Sequence, residues 1–206
     1  MTALTRRQFV AAAGTGSALA LAGCFGEPPG ADLDDLDPDT QPMLGQADAP
    51  VTVTVFVDYA CPHCRTFEAD VVPSLRQNHV QSGAVRLFHA DFPLPVDQQW
   101  SYAVPNAARA VYEEAGNAAF WDFTAQIFTH QQSYSYSLLA DVADQVAGVG
   151  QAARTAAEGE AYSDAIDADH EMGESWSVNS TPSVFVGEQS VDSDYPSIRD
   201  AIANQQ

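Results

Sequence analysis

Val51-Thr-Val-Thr-Val-Phe-Val57, then Asp58-Tyr59-Ala60, then Cys61-Pro62-His63-Cys64: the fold and the chemistry of this chain are read outward from this run. Val51 to Val57 alternates β-branched residues with no Gly or Pro, so it reads as a strand. Both of its faces are apolar or nearly so, the pattern of a central strand covered on either side. Asp58-Tyr59-Ala60 turns the chain into the cysteines, and from there to about Arg76 the sequence reads as a helix. Two cysteines spaced C-x-x-C at a helix N-terminus make a redox-active pair. Unpaired N–H groups and the positive end of the helix dipole favour Cys61 as a thiolate. The thiolate is the attacking species in thiol–disulfide exchange, so its pKa decides the chemistry. Cys64, within reach of Cys61, can resolve a mixed disulfide formed there.

Two other readings of the pair are open to the sequence. One C-x-x-C can be half of a zinc site, but tetrahedral zinc needs two further Cys or His ligands. The remaining cysteine is Cys24, and His79, His89, His130 and His170 are scattered without paired ligand spacing. A purely structural disulfide would need neither the Pro-His turn nor the strand before it. The redox reading therefore carries the most weight, with no metal and no cofactor called for.

Further along, Gln81-Ser82-Gly83 reads as a turn and Val85-Arg86-Leu87-Phe88-His89 as a second strand. It is parallel to the first because a helix separates them. Residues 98–172 look helical. Phe120, Phe123, Ile127 and Phe128 make an apolar stripe, as do Leu139, Val142 and Val146, and Ala108, Val111, Tyr112 and Ala115. These stripes are core positions rather than cofactor boxes. Strand character returns at Ser183-Val184-Phe185-Val186. Gly187-Glu188-Gln189 turns into a short partner strand at Val191, and a last helix starts at Pro196 with Ile198 and Ile202 facing inward.

The 206 residues carry 8 Lys+Arg, every one of them Arg, against 28 Asp+Glu, a formal net charge of −20. Such a chain does not bind nucleic acid or an anionic membrane surface through charge. The composition resembles that of proteins from salt-loving microbes. Residues 1–24 read as a targeting segment outside the fold. Thr5-Arg6-Arg7-Gln8-Phe9-Val10 resembles the twin-arginine export motif. The uncharged stretch from Phe9 to Ala22 is shorter than the roughly 20 residues a spanning helix needs. It ends in Leu21-Ala22-Gly23-Cys24, which resembles a lipobox. Lipidation at Cys24 makes the lipid the only membrane attachment and leaves Cys61 and Cys64 as a pair. Residues 25–44, rich in Pro, Gly and Asp, read as an acidic, disordered linker. The domain is expected over residues 45–206.

The order strand, C-x-x-C helix, strand, helical insert, Thr-Pro, hairpin, helix resembles the thioredoxin fold. The insert and the Pro-His dipeptide narrow the resemblance to the DsbA-like thiol–disulfide oxidoreductases. Gly45-Gln-Ala-Asp-Ala-Pro50, Phe56 to Cys64, Phe120-Trp121 and Ser180-Thr-Pro-Ser-Val-Phe-Val-Gly187 look like landmarks of that family. The resemblance implies an α/β, thioredoxin-like fold with a helical insertion between the second strand and a cis-proline hairpin. It implies Cys61 as nucleophile and Cys64 as resolving cysteine, with Pro62 and His63 between them and His63 helping to hold the thiolate. Thr181 and Pro182 correspond to the cis-proline loop that pairs with an extended substrate.

One departure stands out. Many relatives carry a buried carboxylate six positions before the first cysteine, as a proton acceptor; here that position is Val55. Asp58 is the nearest replacement, and it also suits a turn or cap at the strand end. Asn179-Ser180-Thr181 is a formal glycosylation sequon, which overlaps the substrate loop and reads as coincidental.

The expected function is extracytoplasmic disulfide formation in exported, cysteine-containing proteins through a mixed disulfide at Cys61, with re-oxidation by a membrane redox partner. The same chemistry run in reverse, as a reductase or isomerase fed by a membrane donor, is the alternative. A non-catalytic thioredoxin-like binding protein is the alternative of another class.

Overall fold

The computed structural model describes residues 31–206. The expected targeting segment with Cys24, and residues 25–30, lie outside the described residues. The centre is a sheet built from β1 (Met43–Leu44), β2 (Val51–Val57), β3 (Val85–Asp91), β4 (Ser183–Val186) and β5 (Gln189–Val191), in the order β1-β3-β2-β4-β5. All seven residues of β2 are buried, as its two apolar faces require. It runs parallel to β3, with Val51 opposite Val85 and Val57 opposite Asp91, and antiparallel to β4, with Val55 opposite Val184.

The parallel pairing needs a crossover, and helices supply it. The helix expected to run on to about Arg76 is broken in two. Helix α1 (Pro62–Asp70) ends at Val71, and α2 (Val72–Leu75) leads into a π-helical turn at Arg76–Val80. Pro73 explains the break, because it lacks the N–H that would continue the hydrogen-bond ladder. Beyond β3, the helical stretch is occupied by α3 (Trp100–Ala115), α4 (Asn117–Thr129), α5 (Tyr136–Ala147), α6 (Gly150–Gly159) and α7 (Ser163–Ser175). Phe120, Phe123, Ile127 and Phe128 are all buried, as the stripe predicts, whereas Ala115 at the end of α3 is exposed. After β4, Gly187 takes a left-handed φ of 58° to turn into β5, and α8 (Tyr195–Asn204) buries Ile198 and Ile202.

The pleat of β2 divides the interior in two. Val51, Val53, Val55 and Val57 face a large core with Phe67, Leu75, Phe120, Phe123 and Ile198. Phe56 faces a smaller one with Phe92, Met172, Trp176 and Phe185. Gly173 of α7 lies so close to this second cluster that a Cβ there would meet the Phe92 ring at 2.5 Å.

That second face corrects the expected linker. Residues 31–44 are not a free spacer: Leu33 and Leu36 pack on the Phe56–Trp176 cluster, and β1 pairs antiparallel with β3, Met43 opposite Phe88. Asp32 caps a 3₁₀ turn at Leu33–Asp35 through the Asp34 N–H at 3.0 Å, and Gln41 reaches Asp169 at 3.1 Å. The domain therefore starts ahead of Gly45. A few apolar side chains among the aspartates suffice, because the uncovered sheet face supplies the rest of the contact. Among the described residues, no helix is long and apolar enough to cross a membrane.

The two faces are tied by a buried polar cluster. Arg109 of α3 donates from Nε to Asp91 Oδ2 at 2.8 Å and from Nη2 to Asp169 of α7. His89 Nε2 lies 3.1 Å from Asp91 Oδ1, and the Asp91 N–H donates to Asp169 at 2.8 Å. Each of these four side chains is at most 5% exposed.

Candidate active site

The turn between β2 and α1 is held by Asp58. Its backbone carbonyl accepts from the Cys61 N–H at 3.0 Å. Its carboxylate accepts from Ala60 N–H and Leu94 N–H, both at 2.8 Å, and from Ser101 Oγ at 2.9 Å. The turn role of Asp58 is thus the one its contacts support, since both carboxylate oxygens are engaged with loop and helix. Val55 is buried in the main core. Tyr59, one turn residue further, stacks on Phe128 at 4.8 Å and hydrogen-bonds Thr124 Oγ1 at 3.0 Å.

Cys61 occupies the N-cap of α1 and Pro62 follows in the first turn, where a missing N–H costs nothing. No side chain caps this helix end, so its amides are free to face a sulfur. Cys61 is 6% exposed and Cys64 fully buried; the two sulfurs are unbridged here. The Thr181–Pro182 peptide is cis, and the Thr181 carbonyl accepts from Cys61 Sγ at 3.3 Å. Residues 120 positions apart thus meet at one point. The Thr181 hydroxyl is buried without a hydrogen-bond partner among the described residues, a donor the thiolate can take up. His63 is exposed, and its imidazole makes no hydrogen bond among the described residues.

The two thiols are driven apart. A hydrogen bond from the Cys64 thiol brings the Cys61 pKa down to about 5, against the cost of burial. The Thr181 side chain and the backbone N–H groups of Cys64 and His63 act in the same direction. Burial pushes the Cys64 thiol up, and its hydrogen bond to Cys61 and the negative charge there push it further. The arrangement favours a thiolate at Cys61 and a protonated thiol at Cys64. Glu68, one turn beyond Cys64, is half-buried, and burial raises its carboxyl to about 7.

Alkylation of the reduced protein by iodoacetamide should titrate at Cys61 with a midpoint near 5, well below a free thiol at about 8.5. The sign for stability is fixed by the same shift. A lowered pKa contributes stability present above the unfolded value and lost as pH falls through the folded one. The reduced form should therefore gain stability relative to the oxidised form as pH rises from 5 towards 9. Faster modification of Cys64 than of Cys61 reverses the assignment.

Two residues of the site carried no sequence signal. Gln131, in a 3₁₀ turn after α4, donates from Nε2 to the carbonyls of Tyr59 at 2.9 Å and Cys61 at 2.8 Å. Tyr134 donates from its hydroxyl to the Tyr59 carbonyl at 3.0 Å. Both come from the α4–α5 connection, 70 or more residues from the cysteines, where no periodicity or motif marks them.

A thioredoxin family model matches residues 37–204. The chain belongs to this thioredoxin family. The matched span begins ahead of Gly45, in line with the packed residues 31–44. The chain is 26% identical over 179 residues to disulfide bond formation protein D of Bacillus subtilis, covering 80% of this chain and 77% of that one. The crystal structure of oxidised BdbD from Bacillus subtilis superposes with a TM-score of 0.76 at 24% identity, over 86% of this chain and 96% of that one. That of DsbA from Chlamydia trachomatis gives 0.69 at 17% identity, over 82% and 93%. The fold is accordingly DsbA-like, with α3–α7 as the helical insertion between β3 and the cis-proline hairpin.

Proposed function

We propose that this protein forms disulfides in exported, cysteine-containing proteins through a mixed disulfide at Cys61. It is a thiol–disulfide oxidoreductase. The observation that carries the reading is the asymmetry of the pair: a low-pKa Cys61 facing the Thr181–Pro182 loop, and a buried, proton-holding Cys64. In the oxidised form, a substrate thiolate attacks Cys61 Sγ and breaks the Cys61–Cys64 bond. Cys64 leaves with the electron pair and takes a proton. A second substrate thiolate then attacks the substrate sulfur of the mixed disulfide. It forms the product disulfide and expels Cys61 as a thiolate, the better leaving group because its pKa is low. The pair has gained two electrons, which a membrane redox partner removes.

The location belongs to the same proposal: export by the twin-arginine route, a lipid on Cys24, and work outside the membrane, where disulfides persist. Pre-oxidised protein mixed with a reduced dithiol peptide tests the activity. Stoichiometric peptide oxidation supports it, and no exchange in either direction favours a non-catalytic binding protein. A reduction potential well below that of glutathione would assign the reductase direction instead.

His63 is proposed to tune this potential. Positive charge on an imidazole two residues from Cys61, where it is present, would favour the thiolate, hence the reduced form, and make the disulfide more oxidising. His63→Ala should lower the potential by about 30 mV or more, a tenfold change in the exchange equilibrium. It should raise the Cys61 pKa in step. An unchanged potential leaves His63 as a surface residue.

Salt is the test of the halophilic reading. Six Arg against 28 acids beyond residue 24 cannot be balanced by ion pairs. Repulsion reaches about 30 Å at 0.01 M salt and about 3 Å at 1 M, and folding concentrates the charge. The melting temperature should climb as KCl is raised across that range. A flat or falling trend sinks the halophilic assignment.

A further inference from the structure

The peptide between Tyr59 and Ala60 is gripped from both sides. Its N–H donates to Asp58 Oδ1 at 2.8 Å, and its carbonyl accepts from Gln131 Nε2 and from the Tyr134 hydroxyl. The second N–H of the Gln131 amide reaches the Cys61 carbonyl, which also accepts the first helical bond from Arg65 N–H at 3.2 Å. One side chain therefore bridges the carbonyls on either side of Ala60, and the residue it holds at the far end is the nucleophile. Gln131 is itself half-buried and comes from the connection between α4 and α5, so the tie also joins the helical insertion to the active-site turn.

We propose that Gln131, seconded by Tyr134, is a positioning residue for Cys61. It holds the turn so that Sγ stays against the Thr181 carbonyl and the amides at the start of α1. The physical ground is the tolerance of displacement reactions. Attack on a disulfide requires the sulfur to be aligned, and a displacement of about 1 Å can cost a hundredfold in rate. The turn's own sequence, Asp58-Tyr59-Ala60, provides only the Asp58 bonds on one side. Without Gln131, the Tyr59 carbonyl keeps only the Tyr134 hydroxyl and the Cys61 carbonyl only the Arg65 N–H, so each has one donor fewer and nothing ties the two carbonyls together.

The proposal rests on the exchange activity set out above, and wild-type protein separates the two. If wild type neither oxidises nor reduces a dithiol peptide, the functional reading fails, and with it this role. With wild type active, Gln131→Met keeps length and removes both donors. It should slow peptide oxidation about tenfold or more and raise the Cys61 pKa, read from thiolate ultraviolet absorbance. Gln131→Glu places a carboxylate against the two carbonyls and should do more harm at neutral pH. It should recover towards the Gln131→Met rate, relative to wild type, on acidification, because a protonated Glu donates one of the two bonds. Tyr134→Phe leaves the Tyr59 carbonyl one donor and should have the smallest effect. It also keeps the test alive if the Gln131 variants fold poorly. Variants that lower the melting temperature but retain wild-type exchange rate, Cys61 titration and potential overturn the proposal and make Gln131 a strut of the fold.

Discussion

Cys64→Ser should turn the protein into a trap. Cys61 still attacks a substrate disulfide, but nothing remains to resolve the mixed disulfide that forms. Non-reducing gels of the exported fraction should show higher-mass adducts that collapse on adding reductant. Cys61→Ser should abolish both adducts and turnover, since a serine hydroxyl at this helix end is not ionised near neutral pH. The loss should approach the whole of the rate, because the low pKa of Cys61 arises from its Cys64, Thr181 and helix-amide contacts, which serve a thiolate only. A Cys64→Ser variant that folds normally, judged by its melting curve, and captures nothing would refute exchange through Cys61. The non-catalytic reading would then be preferred.

The second large effect is on stability. Arg109 is buried between Asp91 and Asp169. Burial works against ionising Asp91, but the Arg109 guanidinium and His89 outweigh it and hold the carboxyl at about 2. Burial and the neighbouring Asp91 charge push Asp169 up. Arg109→Met leaves two carboxylates facing each other in the interior without their cation. Removing one partner of a buried ion pair costs about 3–5 kcal/mol, and denaturant unfolding near neutral pH should show a loss of that size. The lowered Asp91 pKa contributes stability present above its ordinary value of 3.8 and lost as pH falls towards 2. In Arg109→Met that contribution is gone and the carboxyls take up protons more readily. The gap between wild type and variant should therefore be widest near neutral pH and narrow towards pH 3. A loss of under about 1 kcal/mol, or one independent of pH, would show that the cluster does not bind the insertion to the sheet.

These expectations draw on different parts of the chain, and they were not equally readable in it. The β-branched run at 51–57 and the hairpin at Gly187 are local signals, set by side-chain shape and by a backbone conformation that glycine enters without strain. The stripes of α4 and α5 repeat every three or four residues and announce their buried face. The helix break after Asp70 was foreshadowed by Pro73, although the continuing apolar positions Val72 and Leu75 disguised it. The segment at 31–44 misled for the opposite reason. Its aspartates dominate the composition, and its few apolar residues have no period, because they fill gaps on a sheet face rather than form a face of their own.

Local architecture and the most specific motif were legible in the order of residues: a strand, a turn, and two cysteines at a helix start, with a Thr-Pro further on. Those depend on residue type and near-neighbour spacing, which are written in order along the chain. Packing, not residue order, commits the Asp58 carboxylate to Leu94 and Ser101 and brings Gln131 and Tyr134 to the carbonyls around Cys61. Packing likewise places one arginine between two buried aspartates. A polar side chain carries no period that names its partner. Its partner is chosen when packing removes water and each buried donor or acceptor must find another group within about 3 Å.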